Sequence, residues 1–182
     1  MEYLLIAVFL IVVFLALFAI QLVVIFEYQR GLLYRQGKFI QVIKPGMRWV
    51  FRPLESVQCI DIRQNYVTIP AQELLTADNI SIKVSVAVAY HVIDPYKAAI
   101  QTQNFHESLY LLLQINIRDA VGALTVEELL RKRAEIGKIV QETSRETAAE
   151  IGLELSLVSI KDIMFPGDLK NIFAQVVNAK MQ

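Results

Sequence analysis

The sequence predicts an α+β domain, made of twisted and mainly antiparallel strands with packed helices, on a single N-terminal transmembrane helix. Three observations lead to this prediction. Residues 3–26 carry no charge, residues 27–92 contain short strand patterns and turns, and residues 94–182 show mostly helical spacing. We therefore expect an N-terminal tail and anchor over 1–26, a folded domain over 27–165, and an amphipathic helix over 166–182.

The anchor prediction depends on the composition of the first segment. Of the twenty-four residues from Tyr3 to Phe26, nineteen are Leu, Ile, Val or Phe. As a helix this stretch would be about 36 Å long, enough to cross a bilayer core of about 30 Å. The alternative is a cleaved signal peptide, but Glu2 is the only early charge and Ile25-Phe26-Glu27 is a poor cleavage site. A retained anchor is favoured.

Basic residues after the anchor predict its direction. Arg30, Arg35, Lys38 and Lys44 follow the apolar stretch, and only the terminal amine is basic before it. By the positive-inside rule we expect a single-pass protein of the cell membrane, with the N-terminus outside and the domain in the cytoplasm. The same residues would attract anionic lipid headgroups, although they are also compatible with ordinary solvated charges.

Overall composition excludes several functional classes. Eighteen basic and eighteen acidic residues cancel, so no net charge favours nucleic acid as a partner. The single cysteine, Cys59, excludes an intrachain disulfide and any CxxC site. It lies in a predicted strand, where we expect a buried thiol rather than a palmitoylation site.

Strand patterns fill residues 27–92. From Ile80 to Val92 every second residue is apolar, which is typical of a half-buried strand. The turn residues Ala77-Asp78-Asn79 precede it, so Gln72–Thr76 could pair back as a hairpin. Shorter strands are predicted over Val57–Arg63 and Tyr66–Ile69, and Lys44-Pro45-Gly46 predicts a turn.

Helix signals follow. Asp94-Pro95 predicts a short helix to about Thr102, and Asn104 with Glu107 starts a second one. Thr125 with Glu128 is a capping box for a third, longer helix that ends near Gly152. A strand to about Ile163 and a last helix capped by Asp168 complete the pattern.

Two segments are candidate binding surfaces. In Met47–Arg52 the side chains of Met47, Trp49 and Phe51 would point one way and the two arginines the other, so Trp49 could sit at headgroup level while Arg48 and Arg52 meet phosphates. A plain core strand is the equal alternative. The last helix carries an apolar stripe that could contact another subunit or, as its short length favours, its own sheet. The stripe consists of Leu169, Ile172, Phe173, Val176 and Val177.

No catalytic, cofactor or metal motif is present in the sequence. His91 and His106 have no second ligand at metal spacing, and no serine lies in a Gly-x-Ser-x-Gly elbow. Gly-rich phosphate-binding loops are also missing. We expect no cofactor, no metal and no enzymatic activity, while an enzyme with an unrecognised site stays a minor alternative.

Several ordered motifs resemble the stomatin, or slipin, branch of the SPFH family, which also includes prohibitins, flotillins and HflK/HflC. They cover nearly all of residues 28–163. The motifs are Tyr28-Gln29-Arg30-Gly31, Arg35-Gln36-Gly37-Lys38, Lys44-Pro45-Gly46, Ile69-Pro70-Ala71-Gln72-Glu73, Thr76-Ala77-Asp78-Asn79, Tyr90-His91-Val92-Ile93-Asp94-Pro95, Ile117-Arg118-Asp119-Ala120-Val121-Gly122, Leu124-Thr125-Val126-Glu127-Glu128-Leu129-Leu130, Arg133 and Val158-Ser159-Ile160-Lys161-Asp162-Ile163.

This resemblance implies an SPFH, or band 7, domain on a membrane anchor that assembles laterally into homo-oligomers. It implies that residues 166–182 begin an oligomerisation region, which continues as a coiled coil in relatives. The first functional hypothesis is a non-enzymatic scaffold that organises membrane microdomains or neighbouring membrane proteins. The alternative is an adaptor of a membrane-bound protease, with an NfeD-type, ClpP-class or FtsH-like partner.

Overall fold

The computed structural model of the chain describes residues 1, 3, 6 and 19–165, and these belong to two compact units that divide between Arg63 and Gln64. We call them the N-terminal and C-terminal units. The strands are β1 (Ile20–Ile25), β2 (Gln29–Arg35), β3 (Lys38–Ile43), β4 (Gly46–Phe51), β5 (Glu55–Asp61), β6 (Asn65–Leu75), β7 (Ser81–Val92) and β8 (Leu153–Met164). The helices are α1 (Pro95–Ile100), α2 (Phe105–Gly122), α3 (Val126–Arg131) and α4 (Arg133–Glu150). The α+β prediction is confirmed.

The N-terminal unit contains two antiparallel sheets. Strands β1 and β4 form a two-stranded ribbon, and β3, β2 and β5 form a second sheet in that order. Gln36 and Gly37 both have positive φ at the β2–β3 hairpin, as a tight turn matched to strand twist requires. Ile25, Leu33 and Ile43 make the core of this unit, with Val23 and Val57 packed against it.

The first strand corrects the anchor prediction. Ile20–Ile25 pair with β4 as a strand, so a continuous helix over 3–26 is wrong for these residues. Because every residue from Ile20 to Phe26 except Gln21 is apolar, neither a period of 2 nor one of 3.6 is visible in the sequence there. The rest of the predicted anchor lies largely outside the described residues. In the part of the chain that the structure describes, no helix is both long enough and apolar enough to cross a bilayer.

The C-terminal unit is built on the antiparallel sheet β6-β7-β8. The alternating residues Ile82, Val84, Val86 and Val88 of the central strand β7 are buried, which confirms the predicted half-buried pattern. The two short segments predicted around Pro70 are one strand, β6. Its register shifts between Ile69 and Gln72, and a proline is tolerated at such an irregularity in an edge strand.

Capping residues define the helix ends. The Asn104 side chain accepts from the backbone N–H groups of His106 and Glu107, which confirms the predicted start of α2. Thr125 and Glu128 form the complete capping box of α3. The predicted long third helix is however broken at Lys132, whose backbone is not helical, into α3 and α4. The predicted last helix, from Asp168, lies outside the described residues.

Helix α4 lies against the edge of the sheet at β8. The Arg133 guanidinium donates to the carbonyl oxygens of Ile160, at 2.8 Å, and of Lys161. Two turns further along, Gln141 donates to the carbonyl oxygen of Leu155 at 2.8 Å. Between them a Cβ at Gly137 would overlap the Val158 carbonyl oxygen, so glycine permits this close approach.

Candidate membrane interface

The β1–β4 ribbon presents an apolar face made of side chains from both strands. Its register places Ile20 opposite Phe51, Leu22 opposite Trp49 and Val24 opposite Met47. Alternate residues of a strand point to the same side, so these three cross-strand pairs share one face. All six side chains are exposed, by between 43% and 74%. We call this surface the apolar ribbon face.

The opposite side of the same ribbon is partly covered by the protein, with Gln21 and Arg48 still exposed there. Ile25 and Val50 are 2% and 3% exposed, and Ile25 belongs to the core of the N-terminal unit. The apolar ribbon face is therefore not the side that the unit uses for its own core. Withdrawing six half-exposed apolar side chains from water is worth roughly 5–9 kcal/mol. A contiguous exposed apolar surface of this kind is typical of an interaction site.

Basic side chains lie around the ribbon. Arg48 is exposed on β4 and faces away from Trp49, since adjacent strand residues alternate. Arg52 follows directly after β4, and its backbone N–H donates to the Ala19 carbonyl oxygen at 2.9 Å, which extends the ribbon. Lys44 and Arg48 line an open cleft of about 450 Å³ over the β3–β4 turn. The ribbon thus combines an apolar face with nearby cations.

The other predicted interface cations belong to the second sheet of the unit. Arg30 donates to the carbonyl oxygens of Glu27 and Gln29, at 3.1 and 2.9 Å. Arg35 forms an ion pair with Glu55 at 2.7 Å, and its guanidinium holds the pKa of that carboxyl below its usual range. Lys38 is exposed at the start of β3. The structure thus groups Arg48, Trp49 and Arg52 on one strand and its end, and places Arg30, Arg35 and Lys38 elsewhere.

Part of this surface was missing from the sequence prediction. Ile20, Leu22 and Val24 supply half of the apolar ribbon face, but they were assigned to the anchor helix. Gln21, the one polar residue of that stretch, is the only sequence signal against the assignment. Cys59 is exposed on β5, so the expectation of a buried thiol is wrong. The predicted subunit-contact stripe Leu169, Ile172, Phe173, Val176 and Val177 lies outside the described residues.

The two histidines have structural contacts. His91 lies between Glu154 and Ser156, at 3.4 Å from each, on the exposed side of β7 and β8. The contact with Ser156 is a long hydrogen bond on the protein surface. His106 Nδ1 shares a short hydrogen bond with the hydroxyl of Tyr90, and burial raises the pKa of that tyrosine. Among the described residues, no group of three His, Cys, Asp or Glu could hold a metal ion.

Comparison with known proteins agrees with this architecture. The model of the SPFH domain / Band 7 family matches residues 23–182, so the match begins inside β1. An uncharacterized protein of Methanocaldococcus jannaschii is 34% identical over 160 residues, which cover 87% of this chain and 80% of that protein.

Two similar proteins carry the stomatin name. A stomatin homolog of Pyrococcus horikoshii is 27% identical over 156 residues, 86% of this chain and 59% of its own length. Stomatin-1 of Caenorhabditis elegans is 27% identical over 154 residues, 84% of this chain and 47% of its own length. The chain thus spans only about half the length of these two stomatins.

Proposed function

The chain belongs to the SPFH domain / Band 7 family, and from that premise we propose that it is a non-enzymatic membrane scaffold. The apolar ribbon face rests in the bilayer interface, and copies confined to the membrane assemble laterally and organise neighbouring membrane proteins. The observation that carries the proposal is the register of β1 with β4, which collects six exposed apolar side chains on one face. Similarity to proteins named stomatins supports it.

Membrane contact explains a surface that would be costly in water. Trp49 and its cross-strand neighbour Leu22 lie in the middle of the apolar ribbon face. An indole is well suited to headgroup depth, where one side of the ring is apolar and the N–H stays wet. Arg48 and Arg52 face the other side of the strand from Trp49, and their long side chains, with Lys44 at the adjoining turn, would reach phosphate groups around the margin of the ribbon.

The uncharged stretch before β1 supplies a second attachment. Residues 3–19 are seventeen residues without a charge. That is the lower end of the range of about 17–25 residues that cross a bilayer as a helix. We propose that this stretch anchors the chain, with the domain on the cytoplasmic side. Two attachments to one membrane restrict the domain to a plane, which raises its effective concentration for weak contacts.

Trp49 allows a direct test, because it is the only tryptophan in the chain. Its fluorescence should be quenched most strongly by lipids labelled near the headgroup and less by lipids labelled deep in the acyl chains. The matched control is Tyr66→Trp in a Trp49→Phe chain, since Tyr66 is equally exposed but lies on β6. Equal quenching of the two tryptophans, or none from any labelled lipid, would contradict interfacial contact.

The alternative role as an adaptor of a membrane protease stays a prediction. It requires that a membrane protease, or an NfeD-type partner, copurify with the chain from its own membrane. A scaffold without this role would retain its oligomeric mass after the protease is removed.

A further inference from the structure

A stripe of four exposed side chains runs along α2 in the C-terminal unit. Glu107, Leu111, Ile115 and Arg118 recur every three or four residues and so share one helix face. Leu111 and Ile115 are 55% and 58% exposed. Within the described residues, the side chains of Glu107 and Arg118 form no hydrogen bond or ion pair. The stripe therefore has charged ends of opposite sign and an apolar middle, all without partners.

This stripe is complementary to itself. At about 1.5 Å per residue, Glu107 lies about 9 Å to one side of the midpoint between Leu111 and Ile115, and Arg118 about 7.5 Å to the other. An antiparallel copy centred on that midpoint would set Leu111 against the second Ile115 and Glu107 against the second Arg118. We propose that α2 is a two-fold contact between copies of this chain, made by antiparallel pairing of this stripe.

The stripe is small, which favours a second copy held in the same membrane as its binding partner. Two aliphatic side chains and two flanking charges bury far less than the roughly 800 Å² per partner of a stable interface in solution. Such a contact forms only where the effective concentration is high, as it is between copies held in one membrane. The inference therefore rests on the proposed membrane attachment. Beyond that attachment, the inference names the surface through which two copies meet.

Charge reversal tests the pairing with full-length protein in vesicles of phosphatidylcholine and phosphatidylglycerol. Gln114→Cys, in a Cys59→Ser chain, places one thiol beside the stripe and close to the expected two-fold axis. A short bismaleimide then links neighbouring copies. Glu107→Arg alone sets arginine against arginine, and Arg118→Glu alone sets glutamate against glutamate. Each should lower the cross-linked yield about tenfold.

A mixture of the two variants decides the question, because each then supplies the charges that the other needs. We expect the mixture to recover the cross-linked yield of the unaltered stripe, and Glu146→Arg, on the exposed face of α4, to have no effect. A mixture as poorly cross-linked as either variant alone, or single variants that cross-link normally, would overturn the pairing.

Flotation of the same vesicles separates the two proposals. Protein that floats without cross-linking contradicts only the α2 contact, whereas protein that stays below contradicts membrane attachment and, with it, the confinement that the contact needs.

Discussion

Strands β7 and β4 both carry apolar residues at alternate positions, with opposite results. In β7 the alternating set from Ile82 to Val88 is almost completely buried. In the ribbon the set that includes Leu22 and Trp49 stays in contact with solvent, while Ile25 and Val50 on the other side fill a core. Alternation therefore shows which residues share a face. It does not show whether the chain itself covers that face.

The largest expected effect comes from placing a charge on the covered face. Val86→Asp would bury a carboxylate in the middle of the three-stranded sheet, between Ile69 and Ile160 of the neighbouring strands. We expect a loss of more than about 4 kcal/mol in the free energy of unfolding. Urea denaturation followed by circular dichroism in mild detergent measures it. Thr68→Asp, at an exposed position of β6, is the control and should change stability little.

A smaller loss is expected where α4 approaches β8. Gly137→Ala puts a methyl group into the Val158 carbonyl oxygen, so backbone must move. Overpacking of this kind costs about 1–3 kcal/mol, of which up to about 1 is returned by the better helix propensity of alanine. Thermal unfolding of Gly137→Ala beside Lys138→Ala, one exposed position away, makes the comparison. Equal melting temperatures of the two variants would mean that α4 can move away from β8 without loss of stability.

Acid should weaken the C-terminal unit through Asp78. The Thr76 hydroxyl donates to this carboxylate, the Val126 N–H also contacts it, and together they hold its pKa below the usual range. Because the folded pKa is the lower one, the contribution is complete above the unfolded pKa of about 3.9 and disappears as the pH falls through the folded value. Asp78→Asn should flatten the dependence of stability on pH in that window. Urea denaturation at several pH values across that window measures the dependence, and an unchanged slope in Asp78→Asn would contradict the contribution.

The smallest effect on folding is expected from the uncovered face. Leu22→Asp places its charge in water, so the free energy of unfolding should change by no more than about 0.5 kcal/mol. In this variant the quenching of Trp49 fluorescence by headgroup-labelled lipids should nevertheless fall clearly, because Trp49 is the cross-strand neighbour of residue 22. If Leu22→Asp unfolds the N-terminal unit instead, the apolar ribbon face is a core surface and the contrast with β7 disappears.

Local signals predicted the C-terminal unit better than the N-terminal one. Asn104 and the Thr125–Glu128 box fix helix starts through their own side chains, and both predictions are confirmed. Strand β1 could not be found in this way, because its pairing with β4 depends on residues more than twenty positions away. For the candidate interface, the alternation of Met47, Trp49 and Phe51 predicted that these three share a face. Their cross-strand partners could be identified only from the register.

The contacts of Arg133, Gly137 and Gln141 with β8 have a consequence for the proposed membrane assembly. An open strand edge invites the same edge of a neighbour to add on, and repeated addition leads to fibrils. Here a helix occupies that margin of the sheet and engages carbonyl groups of β8. In the proposed assembly, neighbouring copies can then meet through side chains without forming a continuous intermolecular β-sheet at that edge.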